Sequence, residues 1–316
     1  MILLWGLATD PPIAAVREAL KALGVPFTHL EQRDVLRTTV ELNVGGPLTG
    51  FVRCGKQKID LATVTACYLR PDDTRALKDV AAAGEGSPAW NHAVRVEDAL
   101  LCWADITSSF IISPPSAMSS NGSKPYQLEL IRAHGMAVPD TLITTDPAAV
   151  LAFHAEHGEI IYKSISGVRS KVSKFRPEHL DRLQNVTSCP TQFQQYIDGV
   201  DYRVHVVGEQ VFAARISSTA DDYRYTTCID GEIDVVPCDI PADLAGTCVK
   251  IANGMGLPVA GIDLRRTVDG RWCCFEVNPS PGFTFYDRLP GEPIAMAIAR
   301  LLAGASEFMQ ERDAKV

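Results

Sequence analysis

The stretch Gly261-Ile-Asp-Leu-Arg-Arg-Thr-Val-Asp-Gly-Arg-Trp-Cys-Cys-Phe-Glu-Val-Asn278 holds the residues best suited to chemistry. Asp269-Gly270 between two β-rich runs is a strong hairpin signal and favours a two-residue type I′ turn. With that turn Val268 faces Arg271, and counting back along both strands sets Asp263 opposite Glu276. Asn278, two residues beyond Glu276, shares its face. Carboxylates opposed across a strand pair repel one another unless a cation lies between them. The oxygen-only set of Asp263, Glu276 and Asn278 suits Mg²⁺, which keeps waters and takes substrate phosphates as further ligands. A solvated acidic face is the alternative. Against it, Ile262, Leu264, Phe275 and Val277 are expected to bury the opposite face. Arg265 projects beside Asp263, where it either contacts phosphate or substrate or simply compensates the acids.

A second group is basic. From Ile160 to Pro177 there are Lys163, Arg169, Lys171, Lys174 and Arg176, and no acid. Within it, Ser164-Ile-Ser-Gly-Val-Arg-Ser170 is a small-residue loop whose amides and flanking cations can form an anion-binding concavity. The Walker spacing is absent, as is a kinase His-Arg-Asp catalytic loop. Lys163 follows Ile160, Ile161 and Tyr162 in an apolar strand, where an ammonium needs an anion or a cavity unless it snorkels at a sheet edge. Together with a metal site in an acidic protein, the loop points to a nucleoside triphosphate.

The elements that must position these groups alternate strand and helix, an α/β (α+β) pattern. Residues 2–8 read as a buried strand and Pro12 to Leu23 as a helix with Ile13, Val16 and Leu20 on one face. Strand candidates Gly50–Arg53 and Thr63–Leu69 and a helix Val94–Phe110 complete an N-terminal lobe, 1–115. The uncharged run Ser113 to Ser123 reads as a linker. Beyond it come a helix from Lys124 to His134 with Ser123 as its cap, strand Thr141–Thr144, a helix capped by Asp146, and strand Ile160–Ile165. Hairpins follow at 201–217 and 260–278, separated by a helix from Pro241 to Asn253. The boundaries predicted are 116–192 for a central lobe and 193–316 for a C-terminal lobe with the metal site.

Bulk properties exclude some classes. The 316 residues are 46% hydrophobic and 22% charged, an ordinary globular composition. A net charge of −8 argues against nonspecific binding to nucleic acid or to a membrane surface. The apolar start, Met1 to Ala8, is too short to span a bilayer. Nine scattered cysteines without a Cys-x-x-Cys pair fit reduced thiols and a cytoplasmic setting.

Five segments in order resemble the ATP-grasp superfamily, in particular ribosomal-protein glutamate ligases and the graspetide (microviridin-type) peptide ligases. They are Lys124-Pro-Tyr-Gln-Leu128, Tyr162-Lys163 with its loop, Gln194 to Gly208, Gly261-Ile-Asp-Leu-Arg265 and Glu276-Val-Asn-Pro-Ser-Pro-Gly282. Phe283-Thr-Phe-Tyr-Asp287 looks most like the peptide-crosslinking subgroup. The resemblance implies an ATP-grasp fold with an N-terminal pre-ATP-grasp lobe and nucleotide bound between two β-sheet lobes. It implies that Lys124 and Lys163 hold the α- and β-phosphates and that the loop of Ser166, Gly167 and Arg169 covers them. Gln194 and the backbone of Tyr196 and Ile197 would read adenine, and Asp201 would hold the ribose. Asp263, Glu276 and Asn278 would bind two Mg²⁺, with Arg203 and Arg215 at the γ-phosphate or the acyl phosphate. Many relatives have glutamate where Gln194 stands. The N-terminal 110 residues match no motif.

The implied reaction is ATP-dependent and ADP-forming. A peptide, protein or small-molecule carboxylate becomes an acyl phosphate, which an amine or alcohol then attacks. Side-chain crosslinking of a peptide, amino-acid (glutamate) addition, and a non-catalytic ATP-binding regulator remain open outcomes. Arg224 holds the substrate carboxylate or pairs with Asp221 or Asp222. Arg203 and Arg215 share a face if the turn after Val207 has three residues and oppose one another if it has two. The relatives suggest a homodimer.

Overall fold

The structure, a computed structural model, describes residues 1–165, 172–217, 234–288, 291 and 293–313. The chain divides into two compact units, one drawn from Met1–Met118, Gly256–Val259 and Ser280–Val316, the other from Ser119–Met255 and Ala260–Pro279. The first division falls inside the predicted linker.

The first unit opens with β1 (Ile2–Gly6), α1 (Pro11–Ala22) and β2 (Phe27–Glu31), then β3 (Thr38–Asn43), β4 (Thr49–Cys54) and β5 (Gln57–Asp60). There follow β6 (Ala66–Arg70), α2 (Lys78–Ala83), α3 (Pro88–Ile106), β7 (Phe110–Ile112) and α4 (Pro115–Met118). A parallel sheet runs β2-β1-β6-β7, and β3, β4 and β5 make an antiparallel meander. Strand β1 is apolar throughout because an all-parallel sheet is covered on both faces. Helix α3 starts ahead of the predicted Val94: Ser87 accepts from the Trp90 amide at 3.1 Å, and Pro88 suits the first helical turn.

The second unit contains α5 (Lys124–Ala133), β8 (Thr141–Thr144), α6 (Pro147–His157), β9 (Ile160–Lys163), β10 (Ser173–Lys174) and β11 (Thr191–Gln195). It continues through β12 (Gly199–Val207), β13 (Gln210–Ser217), β14 (Asp234–Pro237), α7 (Ala242–Gly254), β15 (Val259–Thr267) and β16 (Trp272–Asn278). Asp146 caps α6 through the Ala148 amide as expected, whereas Ser123 precedes α5 without a side-chain cap bond. Two sheets result, ordered β10-β9-β11-β8 and β14-β13-β12-β15-β16. The predicted boundary at 192/193 cuts through β11. The closing helix α8 (Ile294–Asp313) packs on α1 and β6, with the Ser306 hydroxyl 2.5 Å from that of Thr65. The described residues from Ser280 onward therefore group with the first unit and not, as the sequence suggested, with the lobe expected to carry the metal site.

Strand β16 is a sheet edge, which would leave backbone groups unpaired. Buried Gln127 of α5 covers it. Its amide donates to the Val277 carbonyl at 2.8 Å and accepts from the Val277 amide at 3.1 Å. The Cys274 amide donates to the Ala137 carbonyl at 2.8 Å. Among the described residues no helix is long and apolar enough to cross a membrane, and the eight described cysteines are free.

Candidate functional site

Asp263 stands opposite Glu276, and Gly261 opposite Asn278. The route to that register differs from the expected one. The turn has three residues, Val268-Asp269-Gly270, closed by Thr267 donating to the Arg271 carbonyl, and Gly270 takes the left-handed φ of +85°. This shifts the pairing by one residue, so Arg265 faces Cys273 and Leu264 faces Cys274. A bulge between Asp263 and Leu264 leaves Phe275 unpaired and shifts the register back. The bulge also corrects the assignment of Phe275 to the buried face. Its ring lies 5.2 Å from the Arg265 guanidinium, on the acidic side.

That face pairs three acids with three bases. Lys124 donates to Glu276 at 2.5 Å, Arg203 to Asp263 at 2.7 Å, and Arg265 forks onto both Asp201 oxygens at 2.7 and 2.9 Å. The strand period explains the grouping: Asp201, Arg203 and His205 alternate along β12 toward the face that carries Asp263. The reverse face buries Val204, Val206, Ile262 and Leu264, with α7 packed across β12 and β13. Burial alone would pull the Arg265 guanidinium down, but the Asp201 hydrogen bond and charge outweigh it and hold it raised. His205 is almost fully buried, and burial, then the nearby Arg203 charge, pushes its pKa well below the ordinary histidine value. The neutral ring can accept from Arg203 Nε, 3.4 Å from His205 Nε2.

Arg215 does not join this group. The turn after Val207 is the two-residue Gly208-Glu209, with Val207 opposite Gln210, so Arg203 faces Ala214 and Arg215 faces Tyr202. Arg203 is buried and Arg215 exposed, on opposite faces of the sheet.

The four-stranded sheet supplies the second half. Lys163 of β9 lies opposite Gln192 of β11, and Gln194 follows on the same face. The reverse face carries Phe193 and Tyr162 into a core with Val150, Ile160, Phe175, Leu183 and Val186. A cavity of about 310 Å³ on that side is lined by Tyr162, Phe175, His179, Leu183, Val186 and Phe193, and contains none of the sequence-predicted site residues. Lys163 Nζ reaches Gln194 Oε1 at 3.5 Å, and Gln194 Nε2 donates to Thr141 Oγ1 at 3.0 Å. Just beyond β11, the Tyr196 amide donates to the Glu159 carbonyl at 3.0 Å and the Ile197 carbonyl accepts from Arg265 at 2.7 Å. The Tyr196 ring lies beneath Lys174 Nζ at 3.9 Å. Ser166, Gly167, Arg169 and Arg224 lie outside the described residues.

Sequence reasoning passed over Gln192, which is fully buried with neither amide atom hydrogen-bonded among the described residues. Leaving such a group without a partner costs about 1–3 kcal/mol. An apolar residue would be expected at that depth, and this was the signal available in the sequence.

The donors fit a hard divalent ion. Among the described residues no three His, Cys, Asp or Glu side chains could hold a metal by themselves, so an ion at Asp263 and Glu276 would need Asn278, waters or phosphate oxygens to complete its sphere. The surrounding cations suit an anionic ligand arriving with the ion.

The RimK-like ATP-grasp domain matches residues 122–302. The chain is 26% identical over 205 residues to beta-citrylglutamate synthase B of Homo sapiens, covering 60% of this chain and 52% of that protein. It thus spans about half the length of that relative. It is 21% identical over 285 residues to a probable alpha-L-glutamate ligase of Shewanella loihica, covering 84% and 91%. Among solved structures it is similar to the ATP-grasp ligase PsnB, complexed with a variant of its minimal precursor, Mg and ADP. That likeness has TM-score 0.82, 28% identity and coverage of 96% and 98%. The macrocyclase MdnC of Microcystis aeruginosa, bound with precursor peptide MdnA, gives TM-score 0.80, 26% identity and coverage of 96% and 99%. With more than half its length matched by that domain, the chain belongs to the RimK-like ATP-grasp family.

Proposed function

We propose that this chain is an ADP-forming ligase that activates a side-chain carboxylate of a peptide as an acyl phosphate and transfers it to an amine or hydroxyl. The observation that carries the reading is the face on which Asp263 opposes Glu276 beside Asn278, ringed by Lys124, Arg203 and Arg265. Bound Mg²⁺-ATP supplies an electrophilic γ-phosphorus and a leaving group whose charge the ions offset. Asp263, Glu276 and Asn278 hold the ions, two in number. Lys124 and Lys163 then move onto phosphate oxygens. Asp201, held by the Arg265 fork, receives the ribose hydroxyls. Arg203 steadies charge on the phosphoryl group as the substrate carboxylate attacks. The described residues offer no evident general base, so positioning and charge stabilisation do most of the work.

A peptide substrate is favoured because the precursor-bound ligases resemble this chain over 96% of its length at 26% and 28% identity, whereas beta-citrylglutamate synthase B matches 60% of it and the Shewanella loihica glutamate ligase is 21% identical. Amino-acid addition to a protein tail or a small molecule is the second reading, supported by the glutamate-ligase relatives. The test is mass spectrometry of candidate acceptors incubated with enzyme, ATP and Mg²⁺. Loss of one water per event signals crosslinking, and gain of a residue mass signals amino-acid addition. ADP formation should cease in Glu276→Gln and fall severely in Lys163→Ala. Near-wild-type turnover in both variants removes the assignment. Tight ATP binding without ADP release on any acceptor favours a regulator.

A further inference from the structure

We propose that His205 is a positioning residue for Arg203, fixing the plane of its guanidinium through Nε so that the terminal N–H groups can meet the transferring phosphoryl group. The inference rests on the role given to Arg203 under the proposed function and adds to it the side chain that holds that arginine in place.

Both residues belong to β12, two apart on one face of the strand, and both are buried. Arg203 Nη1 donates to Asp263 Oδ1 at 2.7 Å, and Arg203 Nε donates to His205 Nε2 at 3.4 Å. The two contacts have different fates under the proposed function. An ion at Asp263 would take over the carboxylate and release Nη1 toward phosphate. His205 is not among the proposed metal ligands, so its hold on Nε would outlast that exchange. A guanidinium is planar and its Nε–H lies in the plane, so a bond at Nε sets the orientation of the whole fork. The terminal nitrogens keep their N–H groups for phosphoryl oxygens.

The pair also fixes the state of the imidazole. Arginine only donates, so Nε2 is the acceptor and the ring proton sits on Nδ1. A charged ring would turn one N–H against another. Burial and the Arg203 charge both favour the neutral form, in agreement with the geometry. A leucine could fill much of the same space and would offer no acceptor to Nε.

Titration calorimetry with Mg²⁺-ADP and with Mg²⁺-AMPPNP, a non-hydrolysable ATP analogue, separates positioning from packing. His205→Leu should bind the analogue about tenfold more weakly while its ADP affinity stays within about threefold of wild type. His205→Gln, whose amide oxygen can accept from Nε, should recover most of the loss. In an Arg203→Lys background, which has no Nε donor, His205→Leu should cost nothing further. Equal losses for both nucleotides, no recovery with glutamine, or an additive loss in Arg203→Lys overturns the positioning role and leaves His205 as packing. Nitrogen-15 NMR of wild type with labelled histidine tests the tautomer even if His205→Leu folds poorly, and a proton on Nε2 overturns the assignment. An Arg203→Lys variant that binds the analogue as wild type does overturns the phosphoryl role of Arg203, and this inference with it. A loss in Arg203→Lys with none in His205→Leu overturns this inference alone.

Discussion

Lys124 Nζ lies 2.5 Å from Glu276 Oε1, joining the first helical residue of α5 to a carboxylate of the edge strand β16. Both side chains are largely shielded, at 15% and 18% exposure. Arg203 and Asp263 form the same kind of pair at 2.7 Å. Each carboxylate proposed as a metal ligand thus already has a cation beside it, which offsets the repulsion between Asp263 and Glu276. Under the proposed reading, metal and triphosphate would exchange these partners together, the cations passing to phosphate as the ions take the carboxylates.

Metal affinity should therefore depend on nucleotide. Mg²⁺ alone should bind wild type at least roughly tenfold more weakly than Mg²⁺ in the presence of a non-hydrolysable ATP analogue, a coupling of about 1–3 kcal/mol. Lys124→Met should bind Mg²⁺ alone more tightly and nucleotide more weakly. Calorimetry reads both, and two shifts in the same direction contradict the exchange.

The Arg265 fork should be sensitive to shape as well as charge. Arg265→Lys keeps the charge but cannot hold both Asp201 oxygens and the Ile197 carbonyl together. Nucleotide affinity should fall about tenfold, the loss of a bidentate charged contact. Equal affinity in a fluorescence titration removes Arg265 from the nucleotide site.

Gln127→Leu should destabilise the second unit. It strands the buried amide and carbonyl of Val277 at a cost of about 1–3 kcal/mol. Urea denaturation followed by circular dichroism checks this. A midpoint equal to wild type shows that something other than Gln127 satisfies the β16 edge.

Stability should fall in acid through His205. Its folded pKa is depressed by burial and by Arg203, so the unfolded chain takes up the proton first. The contribution is complete above the unfolded value, near 6.5, and drains away as pH drops below it, by at most about 1.4 kcal/mol per pH unit. His205→Gln should flatten that slope between roughly pH 6.5 and 5 relative to wild type. Parallel melting curves for the two proteins across this range contradict the assignment.

Arg203 and Arg215 should behave differently. Arg203→Lys should lower kcat by about a hundredfold or more, as expected for a lost charge-stabilising donor. Arg215→Ala, exposed on the other face, should stay within about threefold of wild type, because exposed side chains away from a site contribute little. Steady-state ADP release measures both.

The sequence by itself determined the strand–helix alternation, the two hairpins and the presence of two acids and an amide on one strand face, because period and turn chemistry are local properties. Its register for Asp263 and Glu276 was right for an incomplete reason. A three-residue turn and a bulge at Phe275 cancel, and neither is visible in an Asp-Gly dipeptide. The turn after Val207 likewise needed the ladder to show that Arg203 and Arg215 oppose. Tertiary structure alone brought Lys124 to Glu276 across 152 positions of chain, returned α8 to the first unit, and left Gln192 without a partner among the described residues. These depend on which distant surfaces come to rest together, and a residue's neighbours in sequence carry no record of that.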